Sequence, residues 1–207
     1  MSRAADGSGG VEKMLDAPQD VFAEDWSADS RNICFNRFAG SADIWYLRRK
    51  DSGGYEEVPF LVNPGTSQFD ANFSPDGRYA AYESNQSGRS EVYIRQFPQG
   101  GGPWQVSTNG GQQPRWRRDG KELYYVEWRD LWAVEVTTSP AFSIGARKRL
   151  FTCYRCFLER VGHQYDVSAD GRRFLLSEPV GETPKPFIRV VQNWFEEFRD
   201  RQKHSKQ

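Results

Sequence analysis

Four segments of the chain share one hydrophobic pattern. An aromatic or apolar residue is followed three positions later by aspartate, then a small residue, then a basic residue, then a short apolar run. The segments are DWSADSRNICFN, FSPDGRYAAYES, RWRRDGKELYYV and DVSADGRRFLLS, with aspartates at Asp29, Asp76, Asp119 and Asp170. Trp26, Phe73, Trp116 and Val167 stand three residues before them, and Arg31, Arg78, Lys121 and Arg172 stand two after. Four to six residues after each aspartate come Ile33-Cys34-Phe35, Ala80-Ala81-Tyr82, Leu123-Tyr124-Tyr125 and Phe174-Leu175-Leu176, all apolar. A continuous apolar triplet predicts a strand covered on both faces, unlike the alternation of a half-solvated strand.

The turn chemistry agrees. In Ser-Pro-Asp-Gly, proline presets a type I turn and glycine supplies the left-handed residue that closes a short hairpin loop. Gly120 and Gly171 occupy the same place, and Ser30 stands there in the first copy at a conformational cost. Further strands follow each hairpin: DIWYL, EVYIR, DLWAV and FIRVV, then YEEVPFLV, PWQVS and ARKRLFTC. Polar, glycine-rich links such as KDSGG, FPQGGG and STNGGQQ separate them. The aspartates recur at intervals of 47, 43 and 51 residues. Repeats of that length with four strands each predict an all-β propeller of four blades, self-closed or part of a larger ring. VEKML, ahead of the first strand, is placed to serve as the missing outer strand of the last blade.

The predicted organisation is a flexible stretch over 1–10, propeller repeats over 11–195 and a polar tail over 196–207. Trp194, Phe195 and Phe198 in the tail share a face at helical spacing. Aromatic residues are 14% of the 207, which favours strands over helices. Lys plus Arg balance Asp plus Glu at 28 each, so no net charge draws the chain to nucleic acid or anionic lipid. The apolar run VPFLV falls far short of a membrane span. MSRAADGSGGVEK lacks the apolar centre of a signal peptide. Read by itself, the chain is expected to be soluble and cytoplasmic.

Candidate chemistry is sparse. Three cysteines, an odd number, argue against a disulfide framework. Cys153 and Cys156 lack the second ligand pair that zinc needs. In RLFTCYRCFLERV they read as strand residues with sulfurs on opposite faces. No nucleophile elbow G-x-S-x-G occurs, and His163 with Asp166 reads as a rim pair rather than part of a triad. The S-x-D-G turns lack the spacing and tryptophan of a sialidase Asp-box. Their single aspartates do not make a calcium loop. No cofactor, metal or catalytic residue is expected, nor nucleic-acid binding by RWRRDGK. If the four turns share one face, Arg31, Arg78, Lys121 and Arg172 ring it. Solvated charges beside their own turn aspartates are favoured over an anion site.

The stretch GRSEVYIRQFPQGGGPWQVSTNGGQQPRWRRDGKELYYV, residues 88 to 126, resembles the TolB-like, WD-repeat-like propeller at the C-terminal end of many bacterial serine/threonine protein kinases. SPDGRYAAYES, YDVSADGRRFLL and VVQNW extend the resemblance to about residues 20 to 195. It implies a sensing or interaction propeller, periplasmic where the parent kinase is membrane-anchored. The chain has no glycine-rich ATP loop, H-R-D or D-F-G, so no kinase residue carries over. Other readings are an accessory propeller of a prolyl-oligopeptidase-like peptidase and a periplasmic TolB-type envelope protein. The expected role is non-catalytic binding of a protein or peptide by loops at one end of the channel. Candidate contacts are Trp104, Arg115, Trp116, Arg118 and Trp128. A homodimer through exposed blade edges is a further expectation.

Overall fold

The computed structural model describes residues 1–18, 20–156 and 164–177, which hold fourteen strands and no helix. Blade 1 is a four-stranded antiparallel meander of β1 (Val21–Trp26), β2 (Asn32–Phe38), β3 (Ala42–Arg49) and β4 (Tyr55–Leu61). Blade 2 repeats it with β5 (Gln68–Phe73), β6 (Tyr79–Ser84), β7 (Glu91–Gln96) and β8 (Trp104–Gln105). Blade 3 comprises β9 (Gln112–Trp116), β10 (Glu122–Glu127), β11 (Asp130–Thr137) and β12 (Ser143–Thr152). Of blade 4 the described residues hold the first hairpin, β13 (Tyr165–Val167) and β14 (Phe174–Leu176). This is the all-β propeller architecture that the repeat predicts. FIRVV, the tail aromatics and His163 lie outside the described residues.

The four turns are built alike. Residues 27, 74, 117 and 168 accept the N–H of Ser30, Gly77, Gly120 and Gly171, each at 2.8 Å. The turn aspartate then accepts the N–H of the basic residue, Arg31, Arg78, Lys121 or Arg172, at 3.0 to 3.1 Å. Three turns add a serine hydroxyl on the same carboxylate: Ser27 to Asp29, Ser74 to Asp76 and Ser168 to Asp170. In the third, Arg117 replaces serine and binds Asp119 through its guanidinium. Ser30 takes the left-handed conformation of the glycines, with φ 58°.

Burial follows from blades stacking face to face. Between blades 1 and 2 lie Cys34, Ile44, Tyr46, Leu61, Phe73, Tyr82, Tyr93 and Phe97. Between blades 2 and 3 lie Tyr79, Val92, Ile94, Val106, Trp116, Leu123, Tyr125 and Val134. The triplets of blades 2 and 3 are buried throughout, whereas Leu175 of blade 4 is 74% exposed. The first strands lie next to one another from blade to blade, nearest the common axis, and the outer strands β4 and β12 are more exposed.

Three expectations are corrected. β12 ends at Thr152, and a tight Tyr154-Arg155 turn brings Cys153 and Cys156 into a disulfide, Cα–Cα 5.5 Å. The chain bends where an extended strand would have held the sulfurs apart, so an odd cysteine count leaves only buried Cys34 free. VEKML does not form a blade strand: Glu12 pairs with Ser2, folding the N-terminal segment back on itself. PWQVS contributes only the two residues of β8, because Val106 and Ser107 both turn their N–H toward the Val92 carbonyl.

Candidate functional site

The inner strands carry an irregularity that the repeat pattern does not announce. β1 bulges between Ala23 and Asp25, β5 between Phe69 and Asn72, and β9 slips opposite Tyr124 to Val126. Asp70 and Gln113, each six residues before its turn aspartate, have φ 53° and 55°. Left-handed non-glycine residues are costly and persist where surroundings over-determine them. A bulge of this kind re-aims side chains out of the ladder.

Here it gathers polar groups at the axis. The carboxyls Glu24, Asp25 and Asp70 all feel the charge of Arg115, and Glu83 feels that of Asp70. Burial, reinforced by Asp70, pushes Glu24 up to about 8. Burial raises Asp70 to about 6 against the pull of Arg115. Burial also lifts Glu83 to about 7, although the Ser90 hydroxyl donates to it at 2.5 Å. Tyr165 donates its hydroxyl to the Gln113 carbonyl at 3.0 Å, and the Gln113 side chain accepts the N–H of Gln164 at 2.9 Å. These bonds tie blade 4 to blade 3. Arg115, Gln164, Tyr165, Asp166 and Leu175 line a cavity of about 470 Å³ there. Among the described residues no group of three His, Cys, Asp or Glu side chains is arranged to hold a metal ion.

Each end of the blades presents a rim of turns. On the aspartate-turn rim, a Cβ on Gly120 would sit 3.7 Å from Pro75, and one on Gly171 only 2.6 Å from Arg117, so the second, third and fourth turns lie side by side. Three of the basic side chains there are engaged. Arg78 binds Asp76 and Thr138, Arg117 binds Asp119 and Glu122, and Arg31 binds Asp51.

The opposite rim differs. Trp128 (74% exposed) and Tyr154 (75%) stand on neighbouring loops of blade 3. Their backbone is pinned: Cys153 N–H donates to the Arg129 carbonyl at 2.8 Å, Arg129 donates to the Tyr154 carbonyl at 3.1 Å, and the disulfide closes the second loop.

The five residues singled out from the sequence do not converge. Trp116 is buried between blades 2 and 3 and donates its indole N–H to the Asn72 carbonyl at 3.1 Å. Trp104 stacks on Phe142, ring centroids 4.1 Å apart, at the same interface. Arg115 belongs to the axis, and Arg118 is exposed in the third turn. Trp128 sits at the far end of β10 from Arg118, on the other rim. Glu24, Asp70, Glu83 and Tyr154 escaped the sequence reading. A carboxylate inside the otherwise apolar strand QFDANF was the one available signal for Asp70.

Sheets, turns and inter-blade packing define a propeller-class chain. No family model matches it, and no curated protein matches it. Among solved structures it resembles TolB from Acinetobacter baumannii, with TM-score 0.60 and 21% identity, over 86% of this chain and 42% of that one. It also resembles a putative TolB from Agrobacterium tumefaciens, with TM-score 0.52 and 18% identity, over 64% of this chain and 49% of that one. The chain therefore spans less than half the length of either. At these identities the likeness establishes a TolB-like fold.

Proposed function

We propose that this chain is a non-catalytic propeller module that binds a protein or peptide through the rim carrying Trp128 and Tyr154. One observation carries the reading: two large aromatics are exposed on loops whose backbones are already fixed by hydrogen bonds and a disulfide. Exposed aromatics on a pre-ordered backbone supply contact area at little entropic cost, the usual composition of a binding hot spot. The resemblance to kinase-associated propellers supports a sensor role within a larger protein. The disulfide supports placement in an oxidising compartment, in keeping with an extracytoplasmic sensor or a TolB-type envelope protein.

The test is site-specific photo-crosslinking in cells. A photoreactive residue at 128 or 154 should give a discrete cross-linked protein, and one at Ser52, in the β3–β4 turn, should not. Trp128→Ala with Tyr154→Ala should abolish the product without lowering Tm. Equal products from all three positions, or none from 128 and 154, would reject this rim.

A further inference from the structure

The hairpin turn between β10 and β11 is strained. Glu127 pairs with Asp130, so Trp128 and Arg129 alone make the turn. Trp128 takes φ 58°. A bulky residue in the left-handed region is an outlier, and it persists only where its surroundings hold it. Those surroundings include the end of β12 and the loop after it. The Thr152 hydroxyl donates to the Asp130 carboxylate. The Arg129 carbonyl accepts the Cys153 N–H at 2.8 Å, and the Arg129 guanidinium donates to the Tyr154 carbonyl at 3.1 Å. The Cys153–Cys156 disulfide closes the loop that presents Tyr154.

The place of this disulfide suits exchange better than it suits holding the fold. It encloses only Tyr154 and Arg155. The stabilisation from a cross-link grows with the length of chain it closes, so this one orders its own loop and little else. Tyr154 and Arg155 are exposed, and both cysteines are half-buried at the edge of the core between blades 3 and 4. Arg155 within the loop and Arg129 against it are cations, which favour a departing thiolate. Cys34 is the opposite case. It is 2% exposed between blades 1 and 2, and burial pushes its thiol up.

We propose that Cys153 and Cys156 form a reversible redox site, whose disulfide holds the Trp128 and Tyr154 loops together and whose dithiol form releases both. The reductant is a dithiol, such as the paired cysteines of a thiol–disulfide oxidoreductase. Its thiolate attacks one sulfur of the pair, breaking the S–S bond and forming a mixed disulfide. Its second thiol then displaces the protein sulfur. The reductant leaves as a disulfide, and the protein gains two electrons and two protons. With the loop open, the Cys153 N–H and the Tyr154 carbonyl no longer meet Arg129 at fixed positions, and Trp128 relaxes from its left-handed conformation. Ordering the two aromatics then falls to the binding step, which weakens it. That effect on binding rests on the Trp128–Tyr154 rim being the contact surface; the release itself does not.

Hydrogen–deuterium exchange of the full chain, oxidised and then reduced with dithiothreitol, tests the release. Peptides covering 128–131 and 152–156 should exchange about tenfold faster or more after reduction, while those covering the 74–80 turn should not change. Cys153→Ser with Cys156→Ser should match the reduced protein, with or without dithiothreitol. Photo-crosslinking from position 128 reads the consequence, and the double serine variant should give about a tenth of the wild-type product or less. Equal exchange in the two redox states overturns the proposal. So does a double serine variant that exchanges like the oxidised wild type. Undiminished product from that variant overturns the effect on binding. No product from oxidised wild type would reject the rim instead, and exchange would still decide the redox site.

Discussion

Trp116 and Trp26 occupy the same position of the repeat, three residues before a turn aspartate, yet one is 7% exposed and the other 50%. Trp116 is packed by blade 2 on one side and blade 3 on the other, its N–H taken by Asn72 and its indole by the Asn72 carbonyl. Trp26 has blade 1 behind it and a thin N-terminal segment in front, and its N–H is satisfied by the adjacent Asp25. The local sequence makes the strand and the turn. The neighbouring blade makes the core, so the same residue type contributes very different stabilisation at the two places.

Truncation should expose that difference most strongly. Trp116→Ala removes a large buried side chain and should cost about 3–5 kcal/mol. Trp26→Ala, measured on dilute protein by urea unfolding, should cost less than about 1.5 kcal/mol, since half its surface is already in water. Comparable losses would mean that the blade 1 face is as well packed as an interior interface. Next in size is the hydrogen bond between blades 2 and 3. Asn72→Leu leaves the buried Trp116 N–H without its acceptor and should cost about 1–3 kcal/mol. Asp166→Leu, which frees only the exposed Val167 N–H of blade 4, should be nearly neutral. A neutral Asn72→Leu would show that water or main chain replaces the side chain there.

Much of the contrast was legible beforehand, and the rest was not for definite reasons. The turn aspartates, the apolar triplets and the left-handed Ser30 follow from local rules, so the sequence pattern reaches them. The inner-strand bulges do not, because Asp70 and Gln113 adopt positive φ without glycine to mark it. Nor could Trp116 be told from Trp26, since both read as an aromatic before a turn. The Cys153–Cys156 pairing depended on where β12 stops, and an apolar-basic run such as RLFTCYRC carries no stop signal. Arg115 was singled out for a rim, but its place on the axis is set by strand order within the blade.

Carboxylates sharpen the same contrast through pH. Glu24, raised to about 8 by burial, keeps its proton in the folded state after the unfolded chain has released it near 4.5. Its contribution is therefore full below the unfolded value and falls as pH climbs toward 8. Asp70 and Glu83, raised to about 6 and 7, act in the same direction over narrower windows. The turn aspartates do the reverse. Asp29 is lowered by the Ser27 hydroxyl and the Arg31 N–H, and Asp119 chiefly by Arg117. Their contribution is present above about pH 4 and is lost as pH falls through their lowered values. Tm should decline by about a few degrees between pH 5 and 8. Glu24→Gln should flatten that decline and leave the acid limb untouched. A decline of wild-type steepness in Glu24→Gln would place the titrating groups elsewhere.

The smallest effect concerns the first turn itself. Ser30 holds the left-handed place that Gly77, Gly120 and Gly171 fill in the other three copies, with φ 58° against 67°, 73° and 69°. A Cβ in that conformation crowds the adjacent carbonyl, at roughly 1–2 kcal/mol. Glycine removes the strain but gives the unfolded chain more freedom, which returns part of the gain. Ser30→Gly should therefore stabilise the protein by about 0.5–1 kcal/mol, and Gly77→Ser should destabilise it by a similar amount. Both are read as shifts in urea midpoint at constant slope. The pair isolates the turn from the blade faces, because no heavy atom comes near a Cβ built on Gly77 and Ser30 is exposed. If Ser30→Gly proved destabilising, the serine would be making a contact that the other three copies do without, and blade 1 would differ from its siblings in its turn as well as its uncovered face.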